Sequence, residues 1–259
     1  MLQHSTSAAS HVGFDLTGRT ALVTGASSGL GVHFARILAA HGADVAVAAR
    51  RVEKVSDLAQ EIVAAGGAAQ ALRLDVTDAA SVADAFDGRR FDIVVNNAGI
   101  AFNGSALETP EENWRQVIDT DLTGVFLVSQ AAATAMVADG EGGSIINIAS
   151  ILGKRVAGGL SVYAAAKAAV VQLTRAHALE WARHDIRVNA ICPGYIETDI
   201  NRDFFATAAG QKLVSRIPVR RLGQMEDLSA PLLLLASDHG RFMTGSELVV
   251  DGGHLVTSL

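Results

Sequence analysis

Tyr163 and Lys167 are the two side chains whose types and spacing point most clearly to chemistry. They stand four residues apart in the segment YAAAK, so on a helix both side chains leave the same face. A phenol exchanges its proton sluggishly at neutral pH. A neighbouring ammonium stabilises the phenolate and brings that exchange toward the working range. The pair predicts a proton-exchanging tyrosine supported by a lysine.

Ser150 is a third candidate, 13 residues before Tyr163 and at the end of an apolar strand-like run. From that strand end its hydroxyl can donate a hydrogen bond to a substrate oxygen and hold it beside Tyr163. The alternative is that Tyr163 caps a core helix and that Lys167 is solvated. The glycine-rich segment described next favours the chemical interpretation.

The segment TGASSGLG, from Thr24 to Gly31, lies between a predicted strand and a predicted helix. Gly25 permits a tight turn, Gly29 lets the backbone approach a pyrophosphate, and Gly31 allows close packing of helix and sheet. The first N–H groups of the helix would face the anion. These glycines also fit an ordinary turn, but the strand–turn–helix context favours nucleotide binding.

Apolar strand-like runs alternate with helical patterns from about residue 14 onward. The predicted strands are 19–24, 43–49, 69–74, 92–95, 143–149, 186–191 and 247–250. The predicted helices are 30–41, 52–65, 78–87, 110–138, 162–184 and 226–237. The strands are apolar throughout, as in a sheet that helices cover on both faces. We therefore expect an α/β fold: a single Rossmann-like, doubly wound domain over 14–259, with a mostly parallel seven-stranded sheet and a flexible tail over 1–13.

The order and spacing of these motifs resemble the short-chain dehydrogenase/reductase family over nearly the whole chain. Besides TGASSGLG, Ser150 and YAAAK, the matching segments are NNAG (96–99), PGYIET (193–198) and DGG (251–253). The resemblance implies an oxidoreductase in which Tyr163 gives a proton to a ketone while NADPH gives the hydride. The same path reversed oxidises a secondary alcohol. Lys167 would also bind the nicotinamide ribose.

The family pattern also assigns the cofactor contacts. Asp75 and Val76 match the pair that contacts adenine, and Asn97, Ile196 and Thr198 match positions that hold the nicotinamide half. The full predicted set is Gly25, Ser27, Ser28, Gly29, Leu30, Gly31, Arg50, Arg51, Asp75, Val76, Asn97, Ala98, Gly99, Tyr163, Lys167, Pro193, Gly194, Ile196 and Thr198.

Asp121 departs from the family pattern. The segment WRQVIDTDLTGVF resembles one in which the family has Asn, a fourth catalytic member that supports a proton relay. Part of that role belongs to a backbone carbonyl, which Asp121 keeps, so we expect activity to be retained. Asp121 can instead alter the electrostatics near Lys167 or stabilise a kink.

The end of the second strand predicts a preference for NADP(H), with NAD(H) possible. An acidic residue usually stands there in NAD-dependent enzymes and bonds the ribose 2′-hydroxyl. This chain has Ala49 followed by Arg50 and Arg51, which suits a 2′-phosphate. The alternative is that the two arginines simply begin the next helix in contact with solvent.

The substrate is expected to be a small ketone, sugar or steroid-like alcohol. YAAAK and PGYIETD are most similar to 3-oxoacyl-carrier-protein reductases, which is the first alternative. The basic positions with which those enzymes dock their acidic carrier correspond here to Glu141 and His184, so docking should be weakened. An NADP-sensing regulator without strong catalysis is the second alternative. The apolar side chains expected to line the substrate pocket are Val156, Leu160, Tyr195, Phe204 and Phe205. Lys154 or Arg155 would meet an acidic substrate group or be solvated, and the loop from Tyr195 to Ile217 would form a lid.

Composition narrows the classes of partner. The 259 residues are 49% hydrophobic and 19% charged, with a net charge of −6, which argues against general nucleic-acid binding. A single cysteine and eight histidines without ligand spacing predict no metal site. No apolar run reaches the roughly 20 residues of a membrane span. We expect a cytoplasmic protein that binds a small molecule and no membrane, assembled as a homotetramer or a dimer.

Overall fold

The computed structural model describes residues 13–198 and 201–257. The predicted tail lies outside these residues except for Gly13, and so do positions 199 and 200 of the predicted lid. Seven strands form one sheet in the described chain. They are β1 (Thr20–Thr24), β2 (Asp44–Ala49), β3 (Ala68–Arg73), β4 (Ile93–Asn96), β5 (Gly143–Ile148), β6 (Ile186–Pro193) and β7 (Glu247–Val250).

The sheet has the order β3-β2-β1-β4-β5-β6-β7, and every pair of neighbours is parallel. This confirms the predicted Rossmann-like architecture. The chain runs outward from β1 to β3 and then returns to place β4 on the other side of β1. Such a reversal opens a crevice at the carboxyl ends of the two central strands, where ligands bind in doubly wound folds.

Alternate residues of β1 belong to the cores on opposite faces of the sheet. Ala21 and Val23 pack in the core that contains Phe34 of the first helix, whereas Leu22 packs with Met136 on the other face. All five side chains are fully buried. Because successive strand residues point to opposite faces, a strand covered on both sides has to be apolar at every position.

The edge strand β3 differs from the prediction that all strands are apolar and covered. Its residues are exposed or half-buried along the whole strand. Within the described residues β3 pairs only with β2, so its other edge is open to solvent. The sequence of β3 carries a glutamine and an arginine, which is consistent with an edge position.

Within the described residues, nine α-helices pack on the sheet or form the segment between β6 and β7. They are α1 (Gly29–Ala40), α2 (Val52–Ala64), α3 (Ala79–Phe86), α4 (Glu111–Ile118), α5 (Gly124–Asp139), α6 (Ser161–Trp181), α7 (Arg202–Ala206), α8 (Ala208–Val214) and α9 (Ser229–Ala236). The predicted lid contains the two short helices α7 and α8. The helix predicted over 226–237 begins as a 3₁₀ turn, Met225–Leu228, before α9.

The prediction of one continuous helix over 110–138 is wrong in its middle. A π turn, Asp119–Thr123, separates α4 from α5, and the N–H of Gly124 donates to the carbonyl of Asp119. Gly124 also passes close to Val76, since a Cβ at this position would lie 2.7 Å from Cγ2 of Val76. The glycine therefore permits the close approach, and the wide turn carries Asp121 into the protein.

Residues Glu111–Asp139, taken as one segment, are long and apolar enough to cross a membrane by length and composition alone. In the structure one side of its second helix, α5, packs into the protein core. Val128, Ala132 and Met136 of α5 are buried with Val94 and Ile145 of the sheet. Packing against the sheet therefore accounts for the apolar composition of this helix.

A chain of buried polar side chains links β4 and β5 to the helices beside them. The amide nitrogen of Asn96 donates to Ser129 and to Asn147, both at 2.8 Å. The amide nitrogen of Asn147 donates in turn to Oγ1 of Thr174 at 2.9 Å. Buried polar groups cost free energy unless they are paired, so this chain fixes the positions of α5 and α6 relative to the strands.

Replacing Thr174 by Val should lower the free energy of unfolding by about 1–3 kcal/mol, because it leaves a buried N–H of Asn147 without an acceptor. Denaturant unfolding measures the change. Thr134→Val is the matched control. Thr134 is exposed on α5, and its hydroxyl, like that of Thr174, donates to the carbonyl four residues earlier. An equal loss in both variants would show that the polar chain contributes nothing.

Candidate active site

A cleft of about 900 Å³ opens at the carboxyl ends of the central strands. Every predicted site residue except Gly31 lines it. The lining members of that set are Gly25, Ser27, Ser28, Gly29, Leu30, Arg50, Arg51, Asp75, Val76, Asn97, Ala98, Gly99, Asp121, Ser150, Tyr163, Lys167, Pro193, Gly194, Ile196 and Thr198. Most of them belong to the loops that follow the six strands β1 to β6, and the parallel strands bring these loops together. Asp121 comes from the π turn, and Tyr163 and Lys167 come from α6.

The glycine turn between β1 and α1 forms one end of the cleft. Gly25 has a φ of +66°, and a Cβ there would lie 2.7 Å from Cα of Ala98. Gly29 has a φ of +57° and open space beside it. Ser28 precedes α1 without capping it through its side chain, so the first N–H groups of the helix remain available to a ligand. The turn therefore fits the phosphates of a dinucleotide.

Gly31 lies behind this turn rather than in the cleft. A Cβ at Gly31 would meet the carbonyl oxygen of Gly25 at 2.5 Å and Nδ2 of Asn97 at 2.7 Å. The residue is needed for close packing beneath the turn and contributes no surface to the cleft. Gly31 does not line the cleft, and its predicted role in close packing agrees with the geometry.

Thr24 is a site residue that the sequence analysis did not single out. Its Oγ1 accepts hydrogen bonds from the N–H groups of Asn97 and Ala98, at 3.0 and 3.1 Å. Nδ2 of Asn97 donates back to the carbonyl of Thr24 at 3.0 Å. The threonine thus ties the end of β1 to the loop after β4. Its place at the head of TGASSGLG was the available signal.

Positive charge borders the cleft beyond β2. Arg50 and Arg51 are exposed, and Nη2 of Arg51 donates to Oγ of Ser27 at 2.9 Å. Burial disfavours the charged form of Asp75, but hydrogen bonds from Thr77 and the charge of Arg50 outweigh it and lower the pKa of this carboxyl group. Asp75 is therefore a negatively charged hydrogen-bond acceptor at the end of the cleft beside Arg50 and Arg51.

Lys167 is buried on α6, one turn after Tyr163. Its Nζ donates to the carbonyl of Ile148 at 3.0 Å and lies 5.5 Å from the centre of the Tyr163 ring. Burial disfavours the ammonium, but Tyr163 and Asp121 outweigh it and raise the pKa of Lys167. The lysine is therefore charged and held beside the phenol, as the spacing predicted.

Asp121 lies fully buried on the π turn and faces Lys167. Its Oδ2 is 3.1 Å from Nζ of Lys167, an ion pair that does not have hydrogen-bond alignment. Its Oδ1 accepts the N–H of Ile100 at 2.7 Å. Burial raises the pKa of Asp121, and Lys167 and the Ile100 amide oppose that rise. A Cβ on Gly99 would press on the pair, at 2.9 Å from Oδ2.

Ser150 begins a 3₁₀ turn, Ile151–Gly153, at the end of β5. Its Oγ accepts the N–H of Leu152 at 3.0 Å, and no described residue accepts its hydroxyl hydrogen. The hydroxyl is therefore oriented and still able to donate to a ligand in the cleft. Ser150 and Tyr163 both line the cleft, where the sequence analysis expected them beside a reacting oxygen.

The far wall differs from the predicted apolar pocket. Tyr195 lines the cleft, and its ring packs against Phe205 and His254, with ring centres 5.9 and 5.4 Å apart. Phe205 supports this wall from behind. Val156, predicted to line the pocket, is 84% exposed instead. Burial is the main cause of a raised pKa for Tyr195, so its phenol is neutral and can donate a hydrogen bond.

Lys154 and Arg155 both have partners within the chain, and neither lines the cleft. Lys154 forms an ion pair with Glu247 of β7, and Arg155 donates to the carbonyl of His254. Both side chains fasten the segment after Ser150 to the residues around β7. Lys154 remains exposed, as the solvated alternative expected, whereas Arg155 is half-buried.

The two positions that correspond to carrier-docking residues lie at the amino ends of the strands, opposite the carboxyl ends where the cleft opens. Glu141 stands two residues before β5, and His184 stands two residues before β6. Ser150 stands two residues after β5 ends. Because the strands are parallel, both positions are at the amino ends, away from the cleft of the same chain. They therefore do not border its entrance.

The cleft has further lining residues that the sequence analysis did not assign to the cofactor. They are Ala49, Leu74, Thr77, Ile100, Ala101, Thr120, Ile148, Ala149, Tyr195 and Asn201. Ala49 and Ile148 end a strand, and Leu74 and Ala149 directly follow one, so position at a carboxyl end was the available signal for these four. Within residues 13–198 and 201–257, no cluster of three or more His, Cys, Asp or Glu side chains suits a metal ion.

Comparison with known proteins agrees with this geometry. A family model described as enoyl-(acyl carrier protein) reductase matches residues 25–254. A 2-dehydro-3-deoxy-D-gluconate 5-dehydrogenase of Bacillus subtilis is 38% identical over 95% of this chain and 98% of its own. A galactitol 2-dehydrogenase of Cereibacter sphaeroides is 40% identical, over 94% and 97%.

Among solved structures, a gluconate 5-dehydrogenase of Burkholderia cenocepacia in complex with NADP and tartrate has a TM-score of 0.91. It is 37% identical, over 95% of this chain and 98% of its own. The chain belongs to the short-chain dehydrogenase/reductase family. It is an NAD(P)-dependent oxidoreductase of the kind that acts on CH–OH groups.

Proposed function

We propose that this protein interconverts secondary alcohols and ketones, with Tyr163 as the proton donor and acceptor and with NADP(H) as the preferred cofactor. The observation that carries the proposal is the convergence of Ser150, Tyr163 and charged Lys167 in one cleft beside the glycine turn. A nicotinamide dinucleotide bound there supplies or accepts the hydride.

The side chains divide the remaining work. Ser150 donates a hydrogen bond to the substrate oxygen and holds it beside Tyr163. In reduction the phenol gives its proton to that oxygen, and in oxidation the phenolate takes it back. The buried ammonium of Lys167 stabilises the phenolate in both directions, because opposite charges attract more strongly away from water. Lys167 and the residues around Asn97 would hold the nicotinamide half.

A small polyhydroxylated alcohol or sugar derivative fits the cleft best as substrate. The relatives act on gluconate derivatives and galactitol by their names. The reacting end combines hydroxyl donors, Ser150 and neutral Tyr195, with aromatic surface from the Tyr195 wall. Such a mixture suits a compact substrate with several hydroxyl groups more than a long acyl chain.

Reduction of a 3-oxoacyl group on a carrier protein is the second candidate. The similarity of YAAAK and PGYIETD to carrier-protein reductases favours it. Glu141 and His184 give no support for docking at the cleft, because they lie at the amino ends of the strands and the cleft opens at the carboxyl ends. The third possibility, a nucleotide-sensing regulator, has no need for the Ser150–Tyr163–Lys167 arrangement.

A panel of sugar acids, polyols, simple ketones and an acyl-carrier-protein substrate tests the proposal through the absorbance of the reduced cofactor. Turnover of a polyol or sugar acid is expected. Replacing Tyr163 by Phe should then lower kcat/KM by about 10²–10⁴-fold, because the proton has no carrier. Binding of NADPH, measured by fluorescence, should persist.

Tyr195→Phe is the matched control, because Tyr195 is the other phenol in the cleft. It should lose far less activity than Tyr163→Phe. A larger loss at Tyr195 would contradict the assigned proton carrier. Carrier-protein substrates turned over far faster than every free alcohol and ketone would contradict the proposed substrate class.

The proposed preference for NADP(H) is supported by the residues that line the cleft where β2 ends. Ala49 places no carboxylate where a ribose 2′-hydroxyl would be bonded, and two exposed guanidinium groups follow it. A 2′-phosphate there gains charge-assisted hydrogen bonds. The guanidinium of Arg51 donates a hydrogen bond to Ser27, whereas the positive charge of Arg50 acts on the carboxylate of Asp75.

Arg50→Ala should raise the KM for NADPH about tenfold or more and leave the KM for NADH within about twofold, since only NADPH carries the 2′-phosphate. Initial rates with each cofactor measure both constants. Lys54→Ala removes the same charge from an exposed position on α2 outside the cleft and should change neither. Equal catalytic efficiency of the wild type with NADH would refute the preference.

The remaining expectations concern the whole molecule. We propose a single domain over 14–259, supported by one sheet that spans the described strands, and a cytoplasmic location. A homotetramer or dimer is supported by exposed apolar side chains on α4, α5 and α6, namely Trp114, Phe126 and Leu179. Light scattering tests the assembly, and a monomeric mass at micromolar concentration would refute it.

A further inference from the structure

We propose that the buried carboxylate of Asp121 sets the charge of the reaction centre, so that the site favours the oxidised, positively charged nicotinamide over the reduced one. The inference rests on the proposed function, because it assumes that the nicotinamide binds beside Lys167. It concerns the balance between the two cofactor forms, which the proton-carrying role of Tyr163 leaves open. Asp121 acts through Lys167 and is a positioning residue.

The geometry makes Asp121 a counterion rather than a substitute for an amide. Its Oδ1 accepts the N–H of Ile100 at 2.7 Å, as an amide oxygen at this position would. Its Oδ2 lies 3.1 Å from Nζ of Lys167, where Asn would present an NH₂ group toward an ammonium. The side chain is 0% exposed, so water screens the pair very little. One buried negative charge therefore cancels the charge of Lys167.

The other groups around the pair leave this charge balance unchanged. Lys167 faces Tyr163 on its own helix, the carbonyl of Ile148 on β5 and the thiol of Cys192 on β6. Burial raises the pKa of Cys192 to about 11, so the thiol is neutral. Within the described residues, no second carboxylate pairs with Lys167.

Two consequences follow from a centre with one ammonium and one carboxylate. The oxidised nicotinamide ring carries a positive charge that the reduced ring lacks, and a centre of zero net charge repels it less than an ammonium alone. The carboxylate also offsets part of the stabilisation that Lys167 gives the phenolate. Asp121 therefore favours binding of the oxidised cofactor and moves the onset of alcohol oxidation to higher pH.

The binding test uses full-length protein with Tyr163 replaced by Phe, so that no phenol titrates and no turnover occurs. Calorimetry measures Kd for NADP⁺ and NADPH in this background, with and without Asp121→Asn. The ratio of Kd for NADP⁺ to Kd for NADPH should rise on the order of tenfold when the carboxylate is removed, as expected for two charges several ångströms apart in a protein site.

Asp119→Asn is the matched control, since Asp119 lies on the same π turn and is exposed. It should leave the ratio within about twofold, because solvent screens its charge. An unchanged ratio in Asp121→Asn overturns the proposal, and so does an equal loss of both affinities, which a purely structural role would give. If neither cofactor form binds to the Tyr163→Phe background, the proposed cofactor site is wrong as well.

The pH profile gives an independent reading with Tyr163 present. For an alcohol that the wild type oxidises, the rising limb of kcat/KM should move to lower pH by about one pH unit in Asp121→Asn, because an uncompensated ammonium stabilises the phenolate more. A shift to higher pH, or none, overturns the proposal. The two proposals can fail separately. If Tyr163→Phe loses all turnover but the rising limb of kcat/KM does not move in Asp121→Asn, the proposed function stands and the counterion role of Asp121 is wrong.

Discussion

The site depends on one topological constraint: β1 and β4 are neighbours in the sheet although about 70 residues separate them in sequence. The crevice exists because the chain leaves β1 in one direction and returns on its other side. Thr24 holds the two carboxyl ends together with a hydroxyl that accepts two backbone N–H groups of the loop after β4. The glycine turn on one side and the catalytic residues on the other then share a single cleft.

Burial of Lys167 imposes a second requirement on that frame. An ammonium away from water needs partners, and the structure supplies a carbonyl from β5 and a carboxylate from the π turn. Gly99 belongs to the same arrangement, because any side chain there would displace Asp121. The NNAG segment therefore has two roles. Gly99 leaves room for Asp121, and the backbone N–H groups of the segment hold it to Thr24 at the end of β1.

The architecture and most of the site could be predicted because they depend on local signals. Apolar runs gave the strands to within a few residues, and every predicted site residue but Gly31 lines the cleft. The π turn could not be predicted, because the residues 110–138 have a continuous helical pattern and the extra residue is accommodated only by packing. The partners of Lys154 and Arg155 depend on β7, nearly 100 residues away, and no local pattern encodes that contact.

The π turn has a consequence for the lengths this segment tolerates. A turn closed by a bond from Gly124 to Asp119 holds one residue more than an α-turn. Each residue advances an α-helix by about 100° around its axis, so everything after the turn is set by that extra residue. Deleting one position among 119–123 would make a straighter helix and rotate its apolar stripe away from the sheet. The segment can therefore vary in composition far more readily than in length.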